Sequence, residues 1–255
     1  MKPWSITSFR EVTSTMDEAR RLLRDGAPEG LAVVAESQTQ GRGRRGRVWH
    51  SQPGAGLWMT VLLRPRERTD FSSLTLVVGL AVLKALQGLG LKEPRLKWPN
   101  DLVARGRKLA GILVEAETSG SRLSGVLVGI GINLLEKDRL KLPADIEGRY
   151  VGVRELEGGS VLAANSVQEA VMSQLQEHYR EWSRDGFASL CFEWNRWDAL
   201  RDRRISARIG TEIFSGLGGG ADKDGALIMI TDKGRQMITA GEVTWAGEEE
   251  LKFYE

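Results

Sequence analysis

At 255 residues, with 41% hydrophobic content and eight tryptophans, the chain is long enough to bury a sizeable core and too apolar for intrinsic disorder. Its 36 basic and 34 acidic side chains leave a formal charge of +2, which argues against a dedicated nucleic-acid domain with a broad basic face. A single cysteine, Cys191, excludes an intramolecular disulfide and suits a reducing cytosol, and the opening MKPWSITSFREV has no apolar run of signal-peptide length.

Helical and extended patterns then alternate. Thr15-Met-Asp-Glu18 fits a capping box with its hydroxyl at the cap, followed by MDEARRLLRDG with Met16, Ala19 and Leu23 on one face and Gly26 as a stop. LAVVAE (Leu31 to Glu36) and GLWMTVLLRP (Gly56 to Pro65) read as strands. Ser72 or Ser73 starts an apolar helix toward Leu89. Its LTLVVGLAVLKAL stretch is too short to span a bilayer and contains Lys84, so a cytoplasmic protein with no membrane partner is expected. LAGILVEAE and LSGVLVGIGINL, joined by TSGSR, form a predicted hairpin. Ser166-Val-Gln-Glu169 is a second capping-box candidate, opening a helix to about Trp182, and FASLCFEWNRWDAL reads as a shorter helix.

From about Arg201 the pattern changes to short β segments, with turn signals at Asp224-Gly225 and at Asp232 to Gly234. Residues 201–255 hold 8 basic and 10 acidic side chains, which leaves 28 and 24 for residues 1–200. The boundary is therefore placed there: 1–200 as a first domain and 201–255 as a small all-β domain.

Four short stretches carry chemistry. GRGRRGRVW (Gly41 to Trp49) concentrates four arginines between two strand patterns. Glycine permits close backbone approach and guanidinium forks bind carboxylate or phosphate, so a loop folded over a ligand calls for an anion. A disordered basic segment and a solvated surface loop are the structural alternatives. KWPND (Lys97 to Asp101) sends Asn100 and Asp101 out of a strand end, as a generic turn also would. In RKLAGILVE, Lys108 stands at the mouth of an apolar strand and Gly111 keeps the backbone approachable; in GIGINL, Asn133 ends a buried run. A solvated strand end and a turn cap are the plain readings of these two. His50 and His178 have no serine or cysteine partner in a triad, and Cys191 lies in an aromatic helix pattern, so all three read as structural.

Taken in order, Ser14-Thr15, AESQTQGRGRRGRVW, KWPNDL, RKLAGILVE and GIGINL closely resemble the biotin–protein ligase family, over roughly Thr13 to Leu134. GLGGGADKDGALIMI (Gly216 to Ile230) is more loosely similar to that family's C-terminal domain. The resemblance implies an α+β fold: a mixed β-sheet flanked by helices, of the class II synthetase-like biotin–lipoate ligase type, followed by a small SH3-like β-barrel.

It also implies a two-step reaction. Biotin and ATP, with Mg²⁺ on the phosphates, give biotinyl-5′-adenylate, and the biotinyl group then passes to a lysine of a biotin carboxyl carrier domain. Lys108 would lie between the biotin carboxylate and the α-phosphate. Arg42 and Arg44 would hold the phosphate side and the ligand loop, and Gly43 and Gly111 would border biotin. Ser14, Thr15 and Gln38 match ureido-contacting positions. Met16 replaces a frequent asparagine there, so a backbone contact would survive and a side-chain contact would not. Trp49, Asn100 and Asn133 fall on the nucleotide side, and Asp101 would take the proton of the acceptor lysine or orient its amine. No protein metal cage is visible.

Bifunctional members carry a preceding helix-turn-helix domain. Here the ligase pattern starts by about residue 5, so no DNA partner is expected. Members occur as monomers and as sheet-to-sheet dimers, which leaves a homodimer open. A lipoate–protein ligase of similar fold, a nucleic-acid-binding module using the arginine loop and a catalytically inactive biotin sensor are the alternatives.

Overall fold

Strand β1 (Ser5–Val12) runs into Ser14, which caps helix α1 (Thr15–Arg24). The computed structural model describes residues 4–65, 71–120 and 122–245. Residues 1–3 and 246–255 at the ends of the two expected domains, and Ser121 of TSGSR, lie outside the described residues.

The cap sits one residue earlier than the capping box suggests. Ser14 Oγ accepts the Met16 N–H at 3.2 Å, and Thr15 is already helical. The Thr15 hydroxyl is engaged across the fold instead, donating to Gln38 Oε1 at 3.1 Å and accepting from Thr60 Oγ1 at 2.8 Å.

The main sheet has seven strands in the order β1-β2-β3-β7-β6-β5-β4, with β1 parallel to β2 and the other pairs antiparallel. Its further members are β2 (Leu31–Gln38), β3 (Gly56–Leu63), β4 (Arg95–Lys97), β5 (Asp101–Ala104), β6 (Arg107–Ser119) and β7 (Arg122–Asn133). Strand β3 is buried from Leu57 to Leu63 because helices cover both faces of the sheet. On one face α1 packs Met16, Ala19 and Leu23 against Val33, Leu62 and Leu127. On the other lies α2 (Leu74–Gly88), which is apolar all round because it is enclosed between the sheet and α4 (Ala164–Asp185).

Helix α4 starts two residues before Ser166, with Ala163 as its cap, so the second capping box does not form. The buried stripe Val167, Val171, Leu175 and Trp182 holds the helix, and such packing outweighs a local cap. Between β7 and α4 the chain makes one short α-helix, α3 (Ala144–Glu147), flanked by two 3-10 turns.

After α5 (Ala188–Arg196) the chain forms the second sheet, β11-β10-β9-β8-β12, antiparallel throughout. Its strands are β8 (Arg204–Ile209), β9 (Glu212–Ala221), β10 (Leu227–Thr231), β11 (Gly234–Ile238) and β12 (Glu242–Trp245). Hydrogen bonds from the turn between β4 and β5 and from α5 fasten it to the rest of the fold. The buried Trp98 indole donates to the Gly225 carbonyl at 3.0 Å, and Asn195 brackets Ala221, accepting its N–H at 2.7 Å and donating to its carbonyl at 2.9 Å.

Asp198 lies on the connection into β8, beside Leu96 of β4. One carboxylate oxygen accepts the Leu200 N–H at 2.9 Å, while the other is buried without a partner. Burial pushes this carboxyl up to about 7, against the opposing effects of the Leu200 N–H and Arg201. A folded-state value above the unfolded one favours the native state below about pH 4, and that contribution is lost as the pH rises through about 7. Urea unfolding should therefore show wild-type stability falling over this window relative to Asp198→Asn. Parallel pH curves for the two proteins would show that Asp198 does not carry the effect.

Candidate active site

The arginine stretch is a folded excursion. Its base is closed by the Trp49 N–H on the Gly41 carbonyl at 2.9 Å, a bridge pairs Arg42 with Val48, and the Gly43 N–H reaches the Arg47 carbonyl at 2.8 Å. The tip turns through Arg45 (φ 57°) and Gly46 (φ 74°). The four arginines meet acceptors on three other parts of the fold. Arg42 Nη2 lies 2.5 Å from Asp17 on α1, and Arg44 Nη1 donates to Asn100 Oδ1 at 2.8 Å. Arg45 and Arg47 both pair with Glu242 on β12.

Burial lowers the Arg44 guanidinium from its ordinary range; Arg45 and Arg47 add to this, while Asp101 and Glu242 oppose it. Arginine remains charged in proteins, so the lowering marks a cation drawn partly out of water.

The polar end of the site is built by α1, β2 and β3. Gln38 Oε1 accepts the Thr15 N–H at 2.8 Å as well as its hydroxyl, and Gln38 Nε2 donates to Ser51 Oγ at 2.8 Å. Thr60 and Ser51 extend this network, and neither was singled out in the sequence. Thr60, fully buried within the apolar GLWMTVLL, is a signal that could have found it, because a buried hydroxyl needs a partner. Met16 is buried against Gly129: a Cβ on that glycine would stand 2.9 Å from Met16 Sδ.

The floor is a pair of glycines. Gly111 and Gly131 face each other across β6 and β7, and the Trp49 ring lies on them: added Cβ atoms would stand 2.8 and 2.6 Å from it. Trp58 meets Trp49 edge-on, with centroids 6.2 Å apart. Lys108 Nζ stands 5.1 Å from the Trp49 ring centroid and 2.8 Å from Asp101 Oδ1, a close ion pair without hydrogen-bond alignment.

The two asparagines act on the backbone. Asn133 Nδ2 donates to the Lys108 carbonyl at 3.0 Å, and Asn100 Nδ2 to the Ile112 carbonyl at 3.1 Å, so each holds the strand that carries Lys108.

These groups enclose one cavity of ≈ 600 Å³, within the range of ligand pockets. Ser14, Thr15, Met16, Gln38, Arg42, Gly43, Arg44, Trp49, Asn100, Asp101, Lys108, Gly111 and Asn133 all line it, so the structure brings together every site residue selected from the sequence. The wall is completed by Leu140, Leu142 and Ile146 from the segment around α3, and by Glu242, Val243 and Thr244 from the second sheet. The sequence carries no periodic signal for either group, since both reach the cavity through long-range packing.

Among the described residues no cluster of three His, Cys, Asp or Glu could hold a metal ion, and no helix is long and apolar enough to cross a membrane. His50 is exposed at the cavity rim, whereas His178 is buried with Nδ1 2.8 Å from the Gln174 carbonyl. The Cys191 thiol is raised by burial and faces the Ala221 and Asp222 carbonyls, remote from this chemistry.

The sequence profile of the Biotin/lipoate A/B protein ligase family matches residues 8–133, the stretch that builds the polar end, the arginine loop and the lysine strand. A biotin–[acetyl-CoA-carboxylase] ligase of Paracoccus denitrificans is 34% identical over 242 residues, covering 92% of this chain and 98% of that protein. The bifunctional ligase/repressor BirA of Bacillus subtilis is 32% identical over 235 residues, covering 91% of this chain and 71% of the relative. Among solved structures, a biotin protein ligase from Aquifex aeolicus in complex with biotin and ATP superposes with a TM-score of 0.83 at 28% identity, covering 96% of this chain and 99% of that one. The chain therefore belongs to the biotin/lipoate A/B protein ligase family and, within it, to the biotin–protein ligases.

Proposed function

We propose that the cavity joins biotin to ATP and then passes the biotinyl group to one lysine of a biotin carboxyl carrier domain of the acetyl-CoA carboxylase type. The observation that carries this reading is a single cavity with a neutral hydrogen-bonding end, at Thr15 and Gln38, and a cationic end, at Lys108 and Arg44. A ligand with a polar ring, an apolar chain and a carboxylate fits that order, with a phosphate beyond it.

In the first step a biotin carboxylate oxygen attacks the α-phosphorus, an O–P bond forms and pyrophosphate leaves. Two like unit charges 4 Å apart repel by about 4 kcal/mol at an effective dielectric near 20, so fixed cations between them are required. Lys108 supplies one and Arg44 the other, while Trp49 covers the floor beneath them. ATP enters as its Mg²⁺ complex, with the ion carried on the phosphates. In the second step the acceptor amine attacks the acyl carbon, a C–N bond forms, AMP leaves and a proton must be accepted. Asp101, 2.8 Å from Lys108, is the carboxylate placed to accept it.

We assign residues 1–200 to the catalytic domain and 201–255 to an SH3-like domain that contributes part of the cavity wall, with a cytoplasmic setting. The electrostatic-grip alternative loses its basis because each loop arginine is engaged by the protein rather than presented as an open row.

Pyrophosphate exchange into ATP tests the reading. Exchange should depend on biotin and fall about a hundredfold in Lys108→Ala. Exchange supported by lipoate and not by biotin would overturn it in favour of a lipoate ligase. At the polar end, Thr15→Val or Gln38→Ala should weaken biotin about ten- to hundredfold by calorimetry, since a buried polar group loses its partner. Unchanged affinity would remove both residues from the biotin subsite. Asp101→Asn should largely spare adenylate formation and slow transfer to the carrier. Equal loss in both half-reactions would confine Asp101 to holding Lys108.

A further inference from the structure

Arg149, just after α3, is half-buried and lines the cavity. The other cations of the wall are engaged by the protein. Arg42 meets Asp17, Arg44 meets Asn100, Arg45 and Arg47 share Glu242, and Lys108 pairs with Asp101. Lys97 lies over the Trp245 ring, 4.2 Å from its centroid. Among the described residues Arg149 is the one cavity-lining arginine or lysine whose side chain meets no acceptor in the protein.

Its backbone, in contrast, is fixed to the strand that carries Lys108. The Lys108 N–H donates to the Arg149 carbonyl at 2.6 Å, and the Val151 N–H donates to the Lys108 carbonyl at 3.1 Å. A parallel bridge pairs Lys108 with Tyr150, which is buried and donates its hydroxyl to the Leu135 carbonyl at 2.8 Å. Arg149 is thus anchored beside Lys108, backbone to backbone, while its five guanidinium donors stay available to a ligand. Binding one would cost it no protein contact.

On the proposed ligase reading, Lys108 and Arg44 serve the biotin carboxylate and the α-phosphate. The two outer phosphates of ATP are then left without a cation from the chain. We infer that Arg149 is a further catalytic residue, which binds those outer phosphates and stabilises them as the leaving group. As the carboxylate oxygen bonds to the α-phosphorus, the bond from that phosphorus to the bridging oxygen breaks, and its electron pair stays on pyrophosphate. Negative charge grows on that group as the bond breaks, and a guanidinium fork meets it bidentately. Arg149 touches only the part of ATP that leaves, so it has no task in the transfer to the carrier.

Calorimetry on the full chain at saturating biotin tests this, with α,β-methylene-ATP and AMP as the probes. Arg149→Ala should weaken the ATP analogue about tenfold and leave AMP within about twofold of wild type, and Arg149→Lys should recover most of the loss. In exchange, KM for inorganic pyrophosphate should rise about tenfold, while transfer from preformed biotinyl-5′-adenylate keeps its wild-type rate. If Arg149→Ala does not fold, Arg149→Gln keeps the stem, removes the charge and should give the same pattern. Unchanged affinity for the ATP analogue, or equal weakening of the analogue and AMP, overturns the assignment. So does a raised KM for the carrier with the analogue unaffected, which would set Arg149 against the acceptor protein instead.

A wild-type protein without biotin-dependent exchange would sink the ligase reading. The comparison of the ATP analogue with AMP, run without biotin, would still decide whether Arg149 holds the outer phosphates.

Discussion

Trp49 can lie flat on the sheet only because Gly111 and Gly131, paired across β6 and β7, present no Cβ beneath it. Any side chain at either position would lift the indole and displace the loop that ends in it. With the ring seated, the base of the arginine loop closes on Gly41, and Lys108 comes to rest above an aromatic face that favours a cation. The floor, the loop and the lysine are therefore consequences of one close approach between two strands.

The loop that results is a problem in electrostatics. Four guanidinium groups within seven residues repel one another, and the fold distributes them among Asp17, Asn100 and Glu242 on three separate elements. Arg44 receives a neutral amide rather than a carboxylate and is the most deeply set of the four, which is why burial lowers it. An arriving anion relieves that deficit. The site is thereby prepared for negative charge at one position while the remaining cations anchor the loop.

Around α1 the same economy appears in hydrogen bonding. Ser14 caps the helix, which frees Thr15 to join Gln38 and Thr60 in the polar end. Had Thr15 been the cap, its hydroxyl would have been spent on the backbone. Shifting the helix start by one residue thus converts a local capping signal into part of a binding surface, and it places Asp17 in the first turn beside Arg42.

Local chemistry made much of this legible in the sequence. The alternation of apolar runs located the strands on either side of the loop and the hairpin of β6 and β7, the change of pattern near Arg201 announced the second sheet, and the wording from Ser14 to Asn133 selected residues that all reach one cavity. Period and motif report what a residue's near neighbours do, so these were the features they could determine. The tertiary structure alone decided which hydroxyl caps α1, where α4 begins, and that Thr60, Gly131, Asp17 and Glu242 belong with the site. Each of these depends on a partner distant in sequence: Glu242 lies nearly two hundred residues beyond the arginines it pairs with. Such contacts leave no periodic trace in the chain, because they are set by how two sheets and a helix meet in space.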